Sequence, residues 1–306
     1  MMWVALAFLS AALLGFYDVF KKHSLRDNAV IPVLLLNTFF CSLIFVPFIV
    51  ASSAGFLSPH SFFFVESGGW AMHKYILLKA VIVLSSWALG YMGIKNLPIT
   101  IVGPINATRP VMVLLGALLV FGERLNLMQW VGVCFAIFSF FLLSRSGKRE
   151  GIRFSHNRWI LCVVLAAVLG AVSGLYDKYL LSPVEQGGIG LDKMAVQGWY
   201  NLYQCGMMLI VFFTVWFPFR KKAVPFRWDW CIVLISLFLS LADFVYFYAL
   251  SLPDAMISIV SMIRRGSVVV SFLFGAMWFK EKNLRAKSID LLLVLVSMLF
   301  LWLGTR

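Results

Sequence analysis

Three arginines in apolar surroundings carry the chemistry open to this sequence. Arg109 stands inside the run 99–122, and Arg264 and Arg265 stand inside the run 254–279. Arginine keeps its proton in proteins, and a charge at bilayer depth costs at least about 2.5 kcal/mol on insertion scales. Such a guanidinium must therefore face a cavity, water or a counter-charge. Its planar fork matches a carboxylate or a phosphate. Asp243 is one counter-charge. It lies ten residues before Pro253, and Arg264 lies eleven after it. At 1.5 Å per residue, both sit roughly 15–16 Å from one hairpin turn, so a salt bridge between adjacent helices is expected. One acid against three guanidiniums leaves a surplus of about two positive charges near the centre. The chemistry this points to is binding of a small organic anion, or of a zwitterion held by its acidic group.

Other residues surround these charges. Trp87, Tyr91 and Tyr246 are candidate walls of the cavity, since aromatic rings with polar tips suit a mixed ligand. Asn106 and Ser261 each precede a paired arginine by three residues, on about the same helix face. Tyr17, Asp18, Tyr176 and Asp177 recur at matching places near opposite membrane faces and are gate candidates. For Asp18 and Asp177 the alternative is a helix-end interaction with Lys21, Lys22 or Lys178. Lys79 and Asp290 lie toward the loop ends of their runs, where snorkelling accounts for them. Asn37 and Asn201 are read as interhelical glue.

Other chemistries lack support. There is no Ser/His/Asp set at depth, no paired carboxylates on one helix, no phosphate loop and no metal-ligand spacing. No enzyme and no cofactor are expected. The five cysteines form no CxxC and no Cys/His motif, and the four histidines lie in or beside polar connections.

The elements that position these residues are membrane helices. The 306 residues are 62% hydrophobic and 13% charged, against about 25% charged in soluble domains. A spanning helix needs about 20 mostly apolar residues. Ten such runs occur, at 2–20, 30–51, 75–96, 99–122, 127–145, 158–180, 196–218, 229–250, 254–279 and 286–304. Long continuous apolar runs mean helices rather than alternating barrel strands.

The two halves repeat. Gly15-Phe-Tyr-Asp18 matches Gly174-Leu-Tyr-Asp177, and Asn37 and Cys41 match Asn201 and Cys205. One constant offset carries Ser85, Tyr91, Leu97, Pro98 and Arg109 onto Ser240, Tyr246, Leu252, Pro253 and Arg264. The expected fold is all-α integral membrane, with ten transmembrane helices in two inverted five-helix repeats. The repeats are 1–146 and 158–306, joined by a basic linker at 147–157. Five is odd, so tandem copies enter the membrane with opposite orientation, as in many secondary transporters.

Asn96-Leu97-Pro98 closes the third run, and Phe121-Gly122-Glu123-Arg124-Leu125 follows the fourth. Gln129-Trp130-Val131-Gly132 opens the fifth. With the five-plus-five duplication, these residues resemble the EamA type of the drug/metabolite transporter superfamily. The resemblance implies a ten-span carrier that moves small metabolites, usually outward, without ATP hydrolysis. One departure stands out: where EamA repeats often carry Glu-Pro in the fourth span, this chain has Arg109-Pro110, and the second repeat has Arg264-Arg265-Gly266. A cation or proton site built on that glutamate does not carry over.

The expected function is secondary export of an anionic or zwitterionic metabolite by alternating access. The alternatives are a proton-coupled multidrug or cation exporter using Asp243, and a lipid flippase. The expected partners are the substrate, the lipid bilayer and, if Asp243 titrates during the cycle, protons. Nucleic acid is excluded, and monomer and homodimer both stay open. Gly103-Pro104 and Pro110 are expected to kink the fourth span. Seventeen Lys and Arg fall on the odd-numbered connections and five on the other side. The positive-inside rule then puts odd loops in the cytoplasm and both termini outside, in a membrane of the bacterial inner type.

Overall fold

In the computed structural model the described residues are 2–25, 28–96, 105, 108–145, 158–221, 224–267, 270 and 284–304, apart from the side chains at 22, 91, 93–96, 139–145, 284–291 and 294. Among them all regular structure is helical. Ten α-helices follow in order: α1 (Met2–Ser24), α2 (Val30–Ser53), α3 (Trp70–Asn96), α4 (Arg109–Val120), α5 (Leu127–Arg145), α6 (Arg158–Leu181), α7 (Lys193–Val211), α8 (Cys231–Ser251), α9 (Ile257–Arg264) and α10 (Leu284–Leu303). Five are long and apolar enough to cross a membrane: Met2–Lys21, Val30–Ser53, Trp70–Gly90, Arg158–Leu181 and Cys231–Ser251. The linker 147–157 lies outside the described residues.

Helix ends follow local chemistry. Asp192 caps α7 by accepting the Met194 and Ala195 N–H groups at 2.7 and 3.1 Å, which satisfies donors the first turn leaves free. Asn126 and Gln129 form a reciprocal capping box at the start of α5, at 3.0 and 2.9 Å. The same two side chains donate to the Gly304 carbonyl beyond α10, at 2.6 and 3.1 Å. Gly132 completes the contact, because a Cβ there would meet Leu301 and the Ser297 carbonyl oxygen at 2.9–3.0 Å.

Pro110 lies in the first turn of α4. There its missing N–H breaks no helical bond, so among the described residues it marks a helix start and not a kink within a continuous helix. Gly103 and Pro104 lie outside the described residues.

The helices pack in pairs across the two halves. α1 lies on α8 and α3 on α6, while α2 meets α7 and α5 meets α10. α4 packs on α6 and α9 on α1, and α4 and α9 also touch each other. The main apolar core joins α1, α4, α6, α8 and α9. A second cluster joins α2, α3 and α7 under the 54–69 connection, through Phe45, Val65, Ile76 and Tyr200. Phe62 of that connection stacks edge-on to Phe244 and Tyr248. Asn37 and Asn201 are buried where α2 faces α7, and Ser42 donates to the Asn201 carbonyl at 2.8 Å.

Candidate functional site

The short helices α4 and α9 bring their arginines to a cavity of about 380 Å³ walled by α1, α3, α6, α7 and α8. Arg109, Arg264 and Arg265 line it, as do Asp243, Tyr246 and Ser261. Trp87 stands on its α3 wall, Tyr17 and Asp18 on its α1 wall and Asp177 on its α6 wall. Tyr176 is not among the lining residues and donates its hydroxyl to the Tyr75 carbonyl at 3.2 Å. Asn106 and the side chain of Tyr91 lie outside the described residues.

The ion pair expected from the hairpin spacing is present. Arg264 Nη2 donates to Asp243 Oδ1 at 2.7 Å. The guanidinium also sits 4.0 Å above the Tyr246 ring centroid, a cation–π contact in a partly desolvated place.

A second ion pair departs from the sequence reading. Lys79 and Asp177 bond to each other at only 2% and 6% exposure. Neither snorkelling of Lys79 nor pairing of Asp177 with Lys178 describes them. α3 begins at Trp70, five residues before the expected edge, so Lys79 stands about 14 Å into the helix. There its ammonium lies 4.6 Å from the Tyr200 ring and 4.9 Å from the Phe247 ring. Lys178 instead donates to the Ala255 carbonyl. Tyr246 joins the two ion pairs, since its hydroxyl donates to Asp177 at 3.3 Å.

The charge ledger changes in detail. Lys21, Lys79, Arg109, Arg264 and Arg265 line the cavity with Asp18, Asp177 and Asp243, so five cations face three carboxylates and the formal surplus is two. Asp18 lies within electrostatic reach of Lys21 and Arg265, an acid near Arg265 that the sequence did not reveal.

Arg109 has a different setting. Its Nη2 donates to Ser86 Oγ at 3.3 Å, and Ser86 spends its own proton on the Ala166 carbonyl at 2.8 Å. The guanidinium lies against Gly170 of α6. The Nε groups of Arg109 and Arg264 are buried with no hydrogen-bond partner among the described residues.

Polar contacts gather at the start of α9, beside the lining residue Ile257. Glu123 accepts the Ile257 and Ser258 N–H groups at 2.7 and 3.2 Å and also bonds the Ser258 hydroxyl. A carboxylate on the first N–H groups of α9 is favoured by the helix dipole. The Lys178–Ala255 bond lies beside it.

Sequence spacing also missed Lys79, Ser86, Ser173 and Tyr200 as lining residues. Elsewhere, the ligand atoms of His23, Asp229 and Cys231 come within 4.8 Å of one another, a group able to hold a metal ion. His23 lies far in sequence from Asp229 and Cys231, so no spacing rule exposes the group.

The fold is shared with a solved crystal structure of a protein that is 16% identical, over 97% of this chain and 95% of that one, with a TM-score of 0.71. No curated protein matches the chain. The family comparison matches residues 1–145 to the EamA-like transporter family. That stretch contains Glu123, which caps α9, and Gln129, which ties α5 to α10. By this match the first 145 residues are similar to the EamA-like transporter family, a family of membrane transporters.

Proposed function

We propose that the protein is a secondary transporter that exports a small anionic or zwitterionic metabolite by alternating access. The observation that carries the reading is the cavity itself, in which five cations face three carboxylates and Arg109 lacks a carboxylate partner among the described residues. Arg264 and Asp243 neutralise one another, which argues against Asp243 as an open cation site.

The reading includes two inverted repeats, 1–146 and 158–306. Exchanging the first five helices with the last five turns the α1–α8 contact into α6–α3, and α4–α6 into α9–α1. The pairs α2–α7, α5–α10 and α4–α9 map onto themselves. That self-mapping supports a two-fold relation between the halves.

Of the lining residues, Lys79 and Asp177 are buried, whereas Asp18 and Lys21, at the odd-connection end of α1, are half-buried. With the odd loops cytoplasmic, this is an inward-facing state. Glu123, Lys178 and the Lys79–Asp177 pair then close the outer side.

The test is exchange in proteoliposomes loaded with a metabolite extract and read by mass spectrometry. Wild type moves one or more anions, Arg109→Ala moves none above empty liposomes, and Arg109→Lys retains a fraction. Exchange by folded Arg109→Ala at the wild-type rate overturns the reading.

A further inference from the structure

We propose that Gly170 is a specificity-determining position: its missing side chain forms a slot on α6 that holds the Arg109 guanidinium flat, ready to receive the oxyanion head of the transported molecule. The proposal rests on the anionic-substrate reading and adds the residues that aim the receptor.

The slot is a geometric fact. A Cβ at Gly170 would collide with the Nη2, Cζ and Nε atoms of Arg109, the whole working end of the side chain. The Cβ would be fixed to the α6 backbone, so the flexible guanidinium is what would have to swing out of place. Ser86 fixes the other edge. Its hydroxyl proton is committed to the Ala166 carbonyl one turn before Gly170, which leaves an oxygen lone pair for Arg109 Nη2. Among the described residues the guanidinium is thus held by one weak acceptor and no carboxylate.

The charged group acting on Arg109 is a further cation, Arg264. An oxyanion entering the cavity therefore gains most at Arg109, where it neutralises an uncompensated charge through charge-assisted bonds.

The two halves differ at this point in a correlated way. The register that carries Arg109 onto Arg264 carries Ala88 onto Asp243, and the register of Gly15 and Gly174 carries Ala11 onto Gly170. Asp243 and Gly170 both lie in the second half, and under the two-fold exchange Arg264, which has the acid, is matched with the methyl group of Ala11, whereas Arg109, which lacks the acid, meets the slot at Gly170. One arginine is neutralised and the other is cradled, so a pseudo-symmetric frame yields a single anion receptor.

The experiment measures dissociation constants of purified, folded variants for L-glutamate, succinate and glycerol 3-phosphate. Wild type binds at least one of them. Gly170→Ala weakens that binding at least tenfold while its melting temperature stays within a few degrees. The mirror change Ala11→Gly leaves binding within about twofold. Arg109→Lys weakens binding in the wild-type background, yet in Gly170→Ala it restores part of it, because a slender ammonium clears the new methyl group. A purely structural role for Gly170 gives no such reversal. Ser86→Ala, which adds no bulk, weakens binding about threefold, and this variant decides the matter if Gly170→Ala fails to fold. Wild-type affinity in folded Gly170→Ala, or in Ser86→Ala when the former is unfolded, overturns the slot proposal alone. Failure of wild type to bind any of the three overturns the anionic reading as well.

Discussion

The Tyr246 hydroxyl donates to Asp177 at 3.3 Å, and through this bond two ion pairs become one network. Lys79 and Asp177 form its α3–α6 end, and Arg264 and Asp243 form its α9–α8 end. The Tyr246 ring beneath Arg264 ties the ends together. The network crosses the faces where the two halves meet, so movement of one half against the other must strain or break it.

Removing the Tyr246 hydroxyl separates the two links. Tyr246→Phe keeps the ring under Arg264 and loses the bond to Asp177, at a cost of about 1 kcal/mol. Tyr246→Ala loses both and also leaves a cavity in a buried site, at about 3–5 kcal/mol. Thermal unfolding of the purified variants in detergent checks the order. Equal losses from the two changes would contradict the split roles.

Lys79→Met leaves Asp177 buried without its cation. Breaking one side of a buried pair costs about 3–5 kcal/mol, whereas replacing both partners by apolar groups is often neutral. Lys79→Met should therefore melt well below wild type, and Lys79→Met combined with Asp177→Leu should recover most of the loss. A double variant as unstable as the single one would show that the pair is not a closed unit.

Asp243→Asn raises the formal cavity surplus from two to three and frees Arg264. Anion affinity is then retained or strengthened, and no organic cation is carried. Isothermal titration with carboxylates, together with an ethidium efflux assay, checks both halves of the statement. Complete loss of anion binding in folded protein would return Asp243 to the role of a substrate or proton site.

Glu123→Ala removes the acceptor of two α9 N–H groups and of the Ser258 hydroxyl. An N-terminal cap is worth about 0.5–2 kcal/mol, and in the proposed inward-facing state this one also helps close the outer side. A cysteine placed at Ser261 should react faster with a membrane-impermeant thiol reagent added on the even-connection side. An unchanged labelling rate would remove Glu123 from the closure.

How much of this was legible in the sequence depends on what fixes each distance. Arg264 and Asp243 share one hairpin, so counting residues from Pro253 gave their common depth and their pairing. Lys79 and Asp177 belong to helices in different halves, and nothing in either run tells which faces meet. The depth of Lys79 is also hidden in the sequence, because Trp70-Ala-Met-His-Lys74 has the look of a polar connection and yet forms the first turns of α3. Repeats were readable because equivalent residues keep their order and offset. Gly170 was not, since a glycine announces a close approach only when the approaching atom is known. Glu123 was noted as part of a family pattern, and its reason came only with the α9 terminus it caps.

The central claim is that Arg109 makes this cavity an anion receptor, and the most direct measurement is ligand-induced thermal stabilisation with matched molecules. A panel of carboxylates, the amides of the same skeletons and the corresponding amines is added to wild type and to Arg109→Ala. The account predicts that at least one carboxylate raises the wild-type melting temperature with rising concentration, that its amide and amine do not, and that Arg109→Ala loses the effect. Stabilisation by the amines alone, or a carboxylate effect that survives in Arg109→Ala, would contradict it.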